Sequence, residues 1–174
     1  MKHILLYGES GVGKTTLLHR LARESGRKAF GYHSLKESAD ENGIAKVFLH
    51  EQGKEYHCLE DNLVGIVGKT VFKAYPKVFD SFSERLLSFP MDGIILLDEI
   101  GILEQDAFRF QKAIFTLLDG QTPVIAAVKQ KEHPYLRTVL SHPNCVAYHV
   151  TPSNREDLFE KLCSYHFSKE LQIF

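Results

Sequence analysis

The chain has 174 residues, 44% apolar and 25% charged, with a formal net charge of −1 at pH 7. That length fits one domain with a full core, spanning residues 1–174, and a charge near zero argues against the basic face that nucleic acid or an anionic membrane would select. No stretch approaches the roughly 20 apolar residues of a bilayer span, and the apolar run 4–7 ends at Gly8, too short for a secretory signal, so a soluble cytoplasmic protein is expected.

The first element in chain order is a buried strand over residues 4–7. It runs into Gly8, Glu9, Ser10, Gly11, Val12, Gly13, Lys14 and Thr15, which fit GxxxxGK(S/T) at every defined position. A helix over Lys14–Glu24 follows, with Leu17, Leu18 and Leu21 inward. Strand, glycine loop and helix are the context in which this pattern binds phosphate. The glycines permit close backbone approach, and successive N–H groups with the positive helix end hold anionic oxygens. Lys14 is expected to bridge the β- and γ-phosphates, and the Thr15 hydroxyl to take one position on Mg²⁺. Thr16 is a candidate for the α-phosphate.

A short second strand is expected over residues 29–33. Residues 45–49 and 54–59 flank Glu51-Gln52-Gly53 and read as an antiparallel hairpin, an insertion over 34–63 on the sheet edge or over the site. A helix over 75–87 carries Pro76 at its start. The run 94–97 is apolar throughout, as in a strand buried on both faces of a parallel sheet, and it ends in Asp98 and Glu99. Ligands in open α/β sheets gather at the carboxyl ends of strands. Asp98 there suits a water-mediated hold on Mg²⁺, and Glu99 suits a general base acting on water. A helix over 105–118, with Phe108, Lys112 and Phe115 bracketing its turns, comes next. A strand over 124–128, a helix over Pro134–Leu140, a strand over 146–150 and a helix over 153–166 complete the chain. Ser153 or Asn154 caps the last helix, with Glu156 and Asp157 in its first turn. The alternation predicts an α/β fold, a mostly parallel sheet flanked by helices.

Phosphoryl transfer usually recruits a further cation. Arg137, Arg155, Lys129 and Lys131 lie where they could face the crevice, and spacing does not choose between them. Cys58, Cys145 and Cys163 are odd in number without CxxC spacing, so reduced thiols, mostly in the core, are expected rather than a disulfide framework or zinc site. The nine histidines are scattered, without HxxxH spacing, and read as core or solvated side chains.

With these motifs in place, the chain resembles the small P-loop nucleoside-triphosphatase family that includes the cancer-related nucleoside-triphosphatase. The likeness rests on Gly11 to Leu17, on Gly31-Tyr32, on Asp98-Glu99-Ile100-Gly101 followed by Glu104 and Phe108, and on Val150-Thr151 followed by Asn154-Arg155 and Leu158. It implies a RecA-like P-loop fold that hydrolyses ATP, GTP and other triphosphates to diphosphate and phosphate, with Lys14, Thr15, Asp98 and Glu99 in the roles given above. Three departures stand out: Ile102 replaces the lysine after the glycine, Ala127 stands where a polar residue should end the next strand, and Ser34, Glu37 and Asp40 lie where basic residues are usual. Two other functions stay open. A small-molecule kinase would share the loop, but residues 34–63 hold none of the arginines usual in its lid. A nucleotide-gated binding module would hydrolyse slowly, and Val128-Lys129-Gln130-Lys131 does not supply the NKxD stretch of GTPase-type base recognition.

Overall fold

The computed structural model describes residues 2–166. Its eight strands are β1 (His3–Gly8), β2 (Ala29–Lys36), β3 (Ala45–Glu51), β4 (Leu63–Val67), β5 (Phe72–Ala74), β6 (Ile94–Ile100), β7 (Val124–Lys129) and β8 (Cys145–His149). Five helices join them: α1 (Lys14–Glu24), α2 (Pro76–Leu87), α3 (Phe108–Asp119), α4 (Pro134–Leu140) and α5 (Arg155–His166). One sheet runs in the order β5-β4-β3-β2-β6-β7-β1-β8. The pairs from β2 through β6, β7 and β1 to β8 are parallel, while β3, β4 and β5 extend the β2 edge antiparallel. No helix among the described residues is long and apolar enough to cross a membrane.

Apolar cover on both faces explains the unbroken apolar strands. On one face Leu17, Leu18 and Leu21 of α1 and Leu158 and Leu162 of α5 pack against Ile4, Leu6 and Leu96. The three α1 leucines are fully buried, each stabilising the fold by about 1.5–3 kcal/mol. On the other face α2, α3 and α4 bring Phe79, Phe110 and Leu136 against Leu5, Tyr32, Ile95 and Leu97.

Four local expectations change. Residues 54–59 form no strand; β3 pairs instead with β2 and with β4, and a β5 that no hairpin signal marked adds a third antiparallel strand. The loop between β3 and β4 is held by Asn62, whose side-chain amide donates to the carbonyls of Leu49 and His57 at 3.0 and 2.9 Å. Helix α3 begins at Phe108 rather than 105, because residues 102–107 close into turns, with Gln105 N donating to Ile102 O and Ala107 N to Glu104 O. Its buried side is Phe110, Ala113, Ile114 and Leu118, and Phe108 is exposed. The last helix starts at Arg155. Asn154 O takes its first bond from Leu158 N, while the Asn154 side chain turns back to Thr151 N and His149 O. Nor do the cysteines sit mainly in the core: Cys58 is exposed and the other two half-buried.

Strand pairing also collects histidines that are distant in sequence. His33 stacks on His50 with ring centroids 5.2 Å apart, and Tyr56 and His57 close over them. Burial pushes His33 down to about 4, with the nearby charge of His50 next in importance.

Candidate functional site

The loop between β1 and α1 delivers Lys14 as the first residue of the helix. Gly13, just before it, holds φ at 97°, a left-handed conformation that L side chains avoid. A Cβ there would also lie 2.6 Å from Arg155 Nη1, so Arg155 covers this turn of the loop. No side chain caps the start of α1 and no acid sits in its first turn. The unsatisfied N–H groups and positive dipole end therefore face the loop's interior as an anion site.

Lys14 is only 6% exposed. Its Nζ donates to Gly8 O at 2.9 Å and Glu9 O at 2.8 Å and lies 3.1 Å from Glu99 Oε1. Beside it, Thr15 Oγ1 donates to Asp98 Oδ1 at 3.0 Å. Four side chains singled out from the sequence, Lys14, Thr15, Asp98 and Glu99, thus meet at one point although 83 residues separate Thr15 from Asp98. Ser10, Gly11, Gly13 and Thr16 line the same hollow of about 310 Å³. Gly8 and Glu9 contribute their carbonyls to Lys14, while Val12 packs against the α1–α5 core and does not line the hollow.

Local backbone sets the two acids apart. Asp98 pairs with Ala127 of β7 and Ile100 with Val128, so Glu99 is the extra residue of a bulge, an irregularity that re-aims a side chain beside a site. Asp98 is buried, and desolvation raises its pKa; the Thr15 hydrogen bond, His19 and Lys14 act against that and Glu99 adds to it. Glu104 lies fully buried nearby. Desolvation pushes it up to about 8, against the Gly101 N–H that donates to its Oε1 at 2.6 Å.

The donor chemistry fits a hard divalent cation. Thr15 and Asp98 present neighbouring oxygens, and among the described residues no group of three or more His, Cys, Asp and Glu side chains is arranged to hold a metal. Mg²⁺ favours such a setting, with one or two protein oxygens and the remainder from phosphate and water.

The further cations sort differently from the sequence expectation. Arg155 packs outside the loop on Gly13, and Arg137 pairs with Glu132 at 3.3 Å. Among the described residues no arginine lines the phosphate hollow or the larger cavity that shares Ser10, Ser34 and Glu99 with it. Lys129 and Lys131 do line that larger cavity. Strand β7 runs past the buried Ala127 to end at Lys129, which pairs with Gly8. The residue closing the strand between loop and acidic pair is therefore a lysine rather than Ala127. The sequence signals for Glu104 and Lys129 were slight: a glutamate just after Ile102 and Leu103, and a strand end one residue later than hydropathy suggested.

Comparison with known proteins agrees with this architecture. A family model described as NTPase matches residues 3–163. The nucleoside-triphosphatase THEP1 of Thermotoga maritima is 26% identical over 177 residues, covering 92% of this chain and 93% of that protein. Its namesake from Sulfolobus acidocaldarius is 29% identical over 165 residues, covering 91% and 90%. The crystal structure of THEP1 from the hyperthermophile Aquifex aeolicus matches in fold with a TM-score of 0.66 and 22% identity, over 93% of this chain and 97% of that one.

Proposed function

The chain belongs to the NTPase family and is a nucleotide-binding P-loop hydrolase; from that premise we propose that it hydrolyses ATP, GTP and related triphosphates, with Mg²⁺, at the hollow around Lys14. The observation that carries this reading is the Lys14 ammonium held between two loop carbonyls and Glu99, with the Thr15–Asp98 pair beside it. Loop amides and Lys14 hold the β- and γ-phosphates. Thr15 and Asp98 hold Mg²⁺, which supplies neutralising charge for the phosphate oxygens. Glu99 accepts a proton from water as the water oxygen bonds to the γ-phosphorus, and the bond to the β-bridging oxygen breaks to release diphosphate. Lys14 is well placed for both acts: its ammonium holds Glu99 at the phosphate and then has the phosphate itself as partner.

Phosphate release from ATP, GTP, CTP and UTP tests the proposal, with and without Mg²⁺, for wild type and Lys14→Ala. The expected result is Mg²⁺-dependent turnover that falls by at least ~10²-fold in the variant, the scale of losing one charge-stabilising donor. Equal turnover in EDTA, or a Lys14→Ala protein as active as wild type, would refute it.

A further inference from the structure

Next to the phosphate hollow lies a larger cavity of about 590 Å³, within the range of small-molecule sites. It touches Ser10, Ser34 and Glu99 but not Gly13, Thr15 or Thr16, so it opens beyond the Glu99 side of the phosphate loop. The antiparallel extension builds its far wall. Gly65 of β4 leaves room for Leu103, since a Cβ there would lie 2.5 Å from Leu103 Cδ2. This close approach seats the 101–104 turn against the added strands and closes the cavity on that side.

The lining is amphipathic in a particular way. Val47, Val67, Ile102, Leu103 and a half-exposed Phe72 ring supply apolar walls. Lys36, Lys69, Lys129 and Lys131 supply ammonium groups; among the described residues none of these ammonium groups forms a side-chain hydrogen bond or a close ion pair, although Lys129 lies within electrostatic reach of Glu104. Glu104, 2% exposed, contributes a carboxyl group to the same lining. Four cations outnumber the two carboxylates of the lining, Glu99 and Glu104, and around a half-apolar cavity they call for a ligand that carries several negative oxygens and an apolar body. We propose that this cavity is a second ligand site, taking a small phosphomonoester with an aromatic body while nucleotide occupies the phosphate loop. The ring packs on Phe72 and the apolar wall, and the phosphate dianion faces the lysines, which offer it charge-assisted hydrogen bonds. A ligand there borders Glu99 and excludes water from it. Binding itself stands apart from the hydrolytic reading; only this effect on turnover rests on it.

The probe is 1-naphthyl phosphate, titrated calorimetrically into protein saturated with a non-hydrolysable ATP analogue and Mg²⁺. Wild type is expected to bind one equivalent, and Lys69→Glu and Phe72→Ala to bind at least tenfold more weakly. Both positions are on the far wall, are exposed and lie outside the phosphate loop, so both variants should hydrolyse nucleotide as wild type does. Saturating probe should lower wild-type kcat without raising KM for nucleotide. No binding to the saturated protein, binding that nucleotide displaces, or equal binding by both variants would overturn the proposal while leaving hydrolysis intact. Should the protein bind no nucleotide, the reading of the phosphate loop fails separately, and titration of the nucleotide-free protein still decides the cavity through the two variants.

Discussion

Glu104 offers a test of the site's electrostatics that needs no substrate. Its folded pKa is about 8 because burial disfavours the charged form, whereas the unfolded carboxyl titrates near its ordinary 4.5. Below that ordinary value both states hold the proton and stability is insensitive to this group. Above it the unfolded chain releases a proton that the folded chain keeps, so stability falls as pH rises, until the folded carboxyl also ionises near pH 8. Each pH unit within this window is linked to about 1.4 kcal/mol, so moving from pH 6 to pH 9 should remove about 2–3 kcal/mol. Glu104→Gln keeps an oxygen for the Gly101 N–H, now 2.6 Å from Glu104 Oε1, and abolishes the titration. The hydroxyls of Tyr32 and Tyr135 sense the Glu104 charge and have no hydrogen-bond partner among the described residues. Urea denaturation followed by circular dichroism at pH 6 and pH 9, at matched ionic strength, measures both proteins. Wild type should lose about 2–3 kcal/mol more than the variant across that interval. Parallel pH profiles would show that Glu104 does not hold its proton in the folded protein.

Glu99→Gln should reduce phosphate release by ~10²–10⁴-fold, the scale of general-base catalysis, while nucleotide affinity by calorimetry stays within a few-fold; unchanged release removes Glu99 as the base. Gly13→Ala places a Cβ 2.6 Å from Arg155 Nη1 at a φ of 97°, and nucleotide affinity should fall at least roughly tenfold, since the left-handed backbone alone costs about 1–2 kcal/mol. Adding Arg155→Ala should restore part of that loss, and no recovery would mean that the arginine does not crowd the loop. Phe110→Ala empties a fully buried position whose ring lies 5.0 Å from Phe79 and 5.3 Å from Tyr32, centroid to centroid. A loss of about 3–5 kcal/mol is expected, and a loss below about 1 kcal/mol in thermal or urea unfolding would contradict the packing described.

Elements whose cause lies in their own residues were legible. Helix α1 spans Lys14–Glu24 as expected, since the glycine loop fixes its start and Leu17, Leu18 and Leu21 fix its buried side. The apolar run 94–97 forms the first four residues of β6, covered on both faces as its composition required. Elements whose cause is a distant partner were not. Residues 54–59 look strand-like, yet Asn62 ties this segment into a loop and β3 finds its partners in β2 and β4. Spacing places Phe108 inside a helix begun at 105, but the turns over 102–107 delay the helix to start at Phe108, whose ring is exposed. Hydropathy carries no information about which strand an edge will meet.

The same distinction runs through the site. Lys14 and Thr15 are specified by a contiguous motif, and Asp98 and Glu99 by an apolar strand that ends in two acids; a sheet that parts the loop strand from the acidic strand by β7 alone brings all four together. What lies around them depends on register. The bulge at Glu99 and the one further residue of β7 carry Lys129 to the strand tip beside Gly8, whereas the sequence pattern ended that strand at 128 and the family resemblance placed its closing polar position at Ala127. Ala127 faces the α1-side core, buried with Leu6 and Leu96, where a hydroxyl would have required a partner. The absence of a polar side chain at that place is therefore a packing fact. The positive charge bordering Glu99 comes instead from lysines at strand and loop ends, long side chains that reach a cavity no linear motif describes.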